Sequence, residues 1–119
     1  MKVVLIIDDD ETIQEVLTDI LEEEDYRVEV LSNTNNLEKI LTSINPDCIL
    51  MDVMLPGENG DVATKRIKQN NQFKKFPVIL MSAGTDVHTK AIDCKADDYL
   101  KKPFQNDLLL QSVNKCVRD

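Results

Sequence analysis

The sequence predicts an α/β fold, a doubly wound five-stranded parallel sheet with helices on both faces. Three observations predict it. Short, wholly apolar runs alternate with stretches whose apolar residues recur at helical spacing. The alternation occurs five times, with no linker, internal repeat or low-complexity segment between the units. The length of 119 residues, 42% hydrophobic and 30% charged, suits one domain (residues 1–119) with a single proper core.

The elements follow in order. Val3, Val4, Leu5, Ile6 and Ile7 form an unbroken apolar run closed by acids, the pattern of a strand buried on both faces. Ile13, Val16, Leu17, Ile20 and Leu21 then fall on one helical face, and Asp10 stands where an N-cap belongs. Tyr26, Val28 and Val30 alternate with Arg27 and Glu29, which predicts a half-exposed edge strand. Residues 33–36 read as a loop able to cap a second helix, striped by Leu37, Ile40, Leu41 and Ile44 and ended by Pro46. Cys48, Ile49, Leu50 and Met51 make a third strand, closed by Asp52. After the turn cluster at 56–60 comes a helix at 62–70, weakly striped by Ala63 and Ile67. A fourth strand at 77–82, a short helix at 87–94, a short strand at 99–101 and a closing helix through Leu109, Val113, Cys116 and Val117 complete the series.

Charge narrows the function. Fourteen basic residues against 22 acidic ones give −8, which argues against nucleic acid and against an anionic membrane surface. No segment approaches the ~20 apolar residues that cross a bilayer. The first apolar run is too short for a signal peptide, so a cytoplasmic location is expected. Cys48, Cys94 and Cys116 are widely spaced and unpaired in sequence, the pattern of reduced, buried thiols. His88, the one histidine, is expected at the surface.

In sheets of this kind, sites form beyond the carboxyl ends of the strands. The residues standing there are Asp8 and Asp9, Asp52, Ser82 and Lys102. Each alone has an ordinary structural reading as a loop starter, a cap or a solvated lysine. Together they make a chemistry. Carboxylates crowded at adjacent strand ends repel one another, and a divalent cation relieves that repulsion. An all-oxygen, acid-rich set suits Mg²⁺. With a lysine and a hydroxyl added, the group describes phosphoryl transfer, in which one aspartate attacks in line and positive charges neutralise the phosphoryl oxygens.

Four motifs carry a resemblance: Leu5-Ile6-Ile7-Asp8-Asp9-Asp10, Ile49-Leu50-Met51-Asp52 through Pro56-Gly57-Glu58-Asn59-Gly60, Pro77-Val78-Ile79-Leu80-Met81-Ser82-Ala83, and Ala96-Asp97-Asp98-Tyr99-Leu100-Lys101-Lys102-Pro103-Phe104. By these the chain resembles, along essentially its whole length, the response-regulator receiver domains of two-component signalling. The resemblance implies a flavodoxin-like (βα)5 fold with strand order 2-1-3-4-5. It implies that Asp52 accepts a phosphoryl group from a histidine kinase or histidine phosphotransfer protein. Asp8, Asp9, Asp52 and the Met54 carbonyl would hold Mg²⁺, with Asp8 acting through water. Lys102, not Lys101, would pair with the phosphoryl oxygens, with a cis peptide before Pro103. Ser82 would bond the phosphoryl group and Tyr99 would rotate inward behind it. That would alter the helix 4/strand 5/helix 5 surface, which meets a downstream effector or a second copy of the chain.

Three positions depart from the family pattern. Lys95 stands where glycine is common, so positive φ there would strain it and change the end of the fourth helix. Met54 and Gly84 offer no side chain to polarise an attacking water, which predicts slow loss of the phosphoryl group. One alternative of another class is a haloacid-dehalogenase-like phosphatase. Asp8-x-Asp10-x-Thr12 matches its nucleophile motif, with Asp8 as nucleophile and Asp10 as acid/base, but Asp52 and Lys102-Pro103 then have no role.

Overall fold

The computed structural model describes residues 1–117. The elements are β1 (Val3–Ile7), α1 (Glu11–Glu23), β2 (Arg27–Leu31), α2 (Leu37–Ile44), β3 (Cys48–Asp52), α3 (Gly60–Lys68), β4 (Val78–Ser82), α4 (Val87–Cys94), β5 (Asp98–Lys101) and α5 (Asn106–Cys116). Every strand pairing is parallel, and the order is β2-β1-β3-β4-β5. The expected flavodoxin-like fold is the observed one.

The period of two along the strands sorts side chains onto the two faces. Leu5 and Ile7 join Ile49, Met51 and Leu80 beneath α2, α3 and α4. Val4 and Ile6 join Cys48, Leu50 and Ile79 beneath α1 and α5. Central strands β1, β3 and β4 are therefore apolar up to the Asp52 that ends β3 and the Ser82 that ends β4, and each fully buried Leu or Ile contributes about 2 kcal/mol. Edge strand β2 is partly exposed, as its alternation predicts.

Local signals set the helix ends. Asp10 caps α1, its carboxylate accepting from the Thr12 and Ile13 N–H groups. Asn36 precedes α2 in the left-handed region without a side-chain cap; in that loop Asn33 accepts instead from the Asn35 N–H. Helix α3 starts two residues earlier than its weak stripe suggests. Gly60 is the reason: its N–H donates to the Val53 carbonyl at 2.8 Å, and a Cβ there would lie 1.9 Å from the Asp52 carbonyl oxygen. Only glycine lets α3 begin this close to the end of β3.

Lys95 does adopt positive φ, at 65°. The end of α4 is nevertheless a regular Schellman turn, with the Ala96 N–H donating to the Ala91 carbonyl at 2.9 Å. The expected change in the helix end is absent, and the lysine carries a strain of about 1 kcal/mol.

Candidate functional site

The parallel register brings the five expected positions to one rim. The Val53 N–H donates to the Met81 carbonyl, and the Lys102 N–H donates to the Ser82 carbonyl at 2.8 Å. The backbone thus ties the ends of β3, β4 and β5 together. On the other side, the Asp8 N–H donates to the Leu31 carbonyl. Gln14 of α1 reaches back to donate to the Asp8 carbonyl and to Ser32 Oγ. The Lys102–Pro103 peptide is cis, as the resemblance implies.

Asp8, Asp9 and Asp52 each present a carboxylate oxygen within 4.8 Å of the others. Asp8 and Asp52 are buried and Asp9 is exposed. Both Asp8 oxygens are engaged: Oδ1 accepts the Asp10 N–H, and Oδ2 accepts from Lys102 Nζ at 2.8 Å. Lys102 Nζ also stands 3.3 Å from Asp52 Oδ1. These groups line an open cleft of about 430 Å³ together with Asp10, Met54, Leu55 and Pro56.

Burial pushes the Asp52 carboxyl above its ordinary range; Lys102 opposes this, while Asp8 and Asp9 add to it. Desolvation alone would lower the Lys102 ammonium, but the Asp8 hydrogen bond and the Asp52 charge outweigh it and hold it above its usual value. Asp52 therefore stands among more negative charge than one lysine neutralises. Its donor set is all hard oxygen, with the cleft open beside it, which fits Mg²⁺ in a site that keeps waters.

Ser82 ends β4 and Tyr99 lies in β5. Ser82 Oγ accepts the Gly84 N–H at 3.0 Å, which leaves its proton free to donate. Tyr99 points outward, 38% exposed, and stacks on His88 with ring centroids 5.0 Å apart. Lys101 is exposed.

One network escaped the sequence. Arg66 of α3 is shared by Glu38 of α2, at 2.7 Å, and by Glu58 of the β3–α3 loop. Thr34 Oγ1 donates to Glu58 at 2.7 Å. Together they fix the loop that carries Met54. Their spacing has no local pattern, and only Glu58, in the turn cluster that closes the second motif, belongs to one.

Known proteins give the same reading. Residues 4–114 match the family described as "Response regulator receiver domain". The phosphate regulon transcriptional regulatory protein PhoB of Pseudomonas aeruginosa is 31% identical over 119 residues, covering 98% of this chain and 52% of its own length. The response regulator ArlR of Staphylococcus saprophyticus is 34% identical, covering 99% and 53%. The chain thus spans about half the length of these curated relatives. A crystal structure of a response regulator from Chloroflexus aurantiacus superposes with a TM-score of 0.91 at 28% identity, covering 98% of this chain and 97% of the other. The phosphatase reading finds no support here: Asp10, its acid/base, spends its carboxylate on the α1 cap and lies outside the three-acid cluster.

Proposed function

We propose, since the chain belongs to the response regulator receiver domain family, that Asp52 is its phosphoacceptor and that one phosphoryl group switches its surface. The observation that carries this is a single ammonium, Lys102, set 2.8 Å from Asp8 and 3.3 Å from Asp52 beside three clustered carboxylates. The family consists of signalling switches rather than enzymes. Asp8, Asp9, Asp52 and the Met54 carbonyl would hold Mg²⁺, which supplies charge neutralisation for the phosphoryl oxygens.

The chain's own residues do the rest. An Asp52 oxygen attacks the phosphorus of a phosphohistidine on a kinase or phosphotransfer protein. The new O–P bond forms as the N–P bond breaks, and the histidine leaves with its electron pair. Lys102 moves its hydrogen bonding from carboxylate to phosphoryl oxygen. Ser82 turns its hydroxyl toward the phosphoryl group, and Tyr99 leaves His88 to fill the space behind it. The charge added at Asp52 is thereby read at the α4/β5/α5 surface. Exposed Ile92, Tyr99 and Leu108 offer apolar contact there to an effector or a second copy of the chain. A cytoplasmic location suits the proposed partners. Met54 and Gly84 make the phosphoryl group slow to hydrolyse; a half-life of seconds in the isolated chain would contradict this.

The test is labelling by a small phosphodonor such as acetyl phosphate with Mg²⁺. Asp52→Asn is expected to cut labelling roughly 100-fold or more, and Asp10→Asn to leave it intact. The reverse pattern overturns the assignment.

A further inference from the structure

The thiols stand apart from the acid cluster. Cys48, Cys94 and Cys116 pack with the two apolar clusters, Cys116 only half-buried where three buried thiols were expected. Gln14, by contrast, reaches the acids from the first turn of α1. Its backbone is fixed there, the Gln14 N–H donating to the Asp10 carbonyl at 3.0 Å. Its side chain is half-buried between the ends of β1 and β2.

A carboxamide nitrogen carries two protons, and each needs an acceptor where water is shut out. Gln14 Nε2 has both: the Asp8 carbonyl at 2.5 Å and Ser32 Oγ at 3.2 Å. The Asp8 N–H donates to the Leu31 carbonyl at 3.0 Å. Asp8 is thus tied to the end of β2 through both of its backbone polar groups, by the N–H directly and by the carbonyl through Gln14.

The consequence falls on Asp9. Among the described residues no donor or cation holds its carboxylate, although that carboxylate is one of the three in the cluster. Its direction is set by the two peptide planes that flank it. The plane before Asp9 carries the Asp8 carbonyl and is held by the Gln14 amide. The plane after Asp9 carries the Asp10 N–H and is held by Asp8 Oδ1 at 3.0 Å. Without the amide, the first plane is free to rotate and carries Asp9 with it.

We propose that Gln14 is a positioning residue for the metal: by fixing the Asp8–Asp9 peptide it keeps the exposed Asp9 carboxylate aimed into the cluster, and so sets the affinity for Mg²⁺. This role rests on the cluster being the Mg²⁺ site of the function proposed above. Partners that orient a metal's ligands from outside typically govern about 10- to 100-fold in affinity. Only a donor serves at this position, since an apolar side chain of the same length leaves the Asp8 carbonyl unpaired.

The experiment is a calorimetric titration of the intact chain with Mg²⁺, in the wild type, in Gln14→Met and in Asp97→Ala. Gln14→Met should weaken binding by roughly 10-fold. Asp97→Ala should lower the denaturation midpoint yet bind Mg²⁺ as the wild type does, which separates positioning from general loss of stability. Labelling by acetyl phosphate in Gln14→Met should need more Mg²⁺ to reach half its maximum, with the maximum itself within about threefold of the wild type. In the wild-type chain the Gln14 side-chain amide resonances should shift along the same Mg²⁺ saturation curve as the Asp9 backbone amide.

A wild-type chain that takes up no Mg²⁺ overturns the metal site and this role with it. A wild type that binds, beside a Gln14→Met that binds equally well, overturns the role of Gln14 alone. So does an equal weakening in Asp97→Ala. Gln14 amide resonances that stay still as Mg²⁺ binds decide against it even if Gln14→Met fails to fold.

Discussion

Aspartates stand at both ends of this sheet, and they are treated differently. At the amino end each has its own partners. Asp47 accepts the Val3 N–H at 2.7 Å and lies 4.0 Å from Lys2. Asp97 accepts the Val78 N–H at 2.8 Å and pairs with Lys68 at 2.7 Å. These carboxylates stitch neighbouring strands together. At the carboxyl end Asp8 and Asp52 share one lysine with Asp9 clustered beside them, and the Asp52 carboxyl is pushed up rather than held down. The difference separates two uses of one residue type. Acids whose charge is matched serve the fold, while acids with unmatched charge remain available to a ligand.

That contrast can be broken from either end. After Asp52 itself, the largest effect belongs to Lys102. Lys102→Met leaves Asp8 and Asp52 with no counter-charge, and phosphoryl labelling from a small donor should drop roughly 10- to 100-fold. Asp97→Ala should do the opposite. It strands the Val78 N–H and takes the carboxylate from Lys68, whose side chain is 9% exposed and keeps only the Phe76 and Lys74 carbonyls, at a cost of about 2 kcal/mol in a denaturant titration. Labelling at Asp52 should not change in that variant.

The smallest effect concerns Glu38, an acid near the rim that is matched. Its hydrogen bond to Arg66 holds its carboxyl below the usual value, against the opposing effect of burial. A lowered folded value means the stabilisation is complete above the unfolded value and is lost as pH falls through the folded one. Glu38→Gln should therefore cost about 0.5 kcal/mol at neutral pH, since the pair is largely exposed. Denaturation midpoints of variant and wild type should converge in the acidic range.

The same contrast marks what was legible in the sequence. Positions at strand ends were readable because an apolar run gives way to polar residues where the strand leaves the sheet, so Asp8, Asp52, Ser82 and Lys102 announced themselves, although Asp8, Asp52 and Ser82 are themselves buried. Asp10 was readable as a cap because capping is local. The pairings of Asp47, Asp97, Arg66 and Glu58 were not, because each joins residues that only the tertiary fold brings together. Gly60 was visible as a turn glycine, but its reason, the approach of α3 to the Asp52 carbonyl, is a packing fact.

The unmatched charge of Asp8, Asp9 and Asp52 is tested most directly by the thermal unfolding midpoint as Mg²⁺ is added. A cation bound only by the folded chain raises that midpoint with concentration by mass action. The midpoint of the wild-type chain should climb with Mg²⁺, that of Asp97→Ala should climb in parallel from a lower start, and that of Asp9→Asn should stay flat. A flat wild-type curve, or an equal climb in Asp9→Asn, would contradict the account.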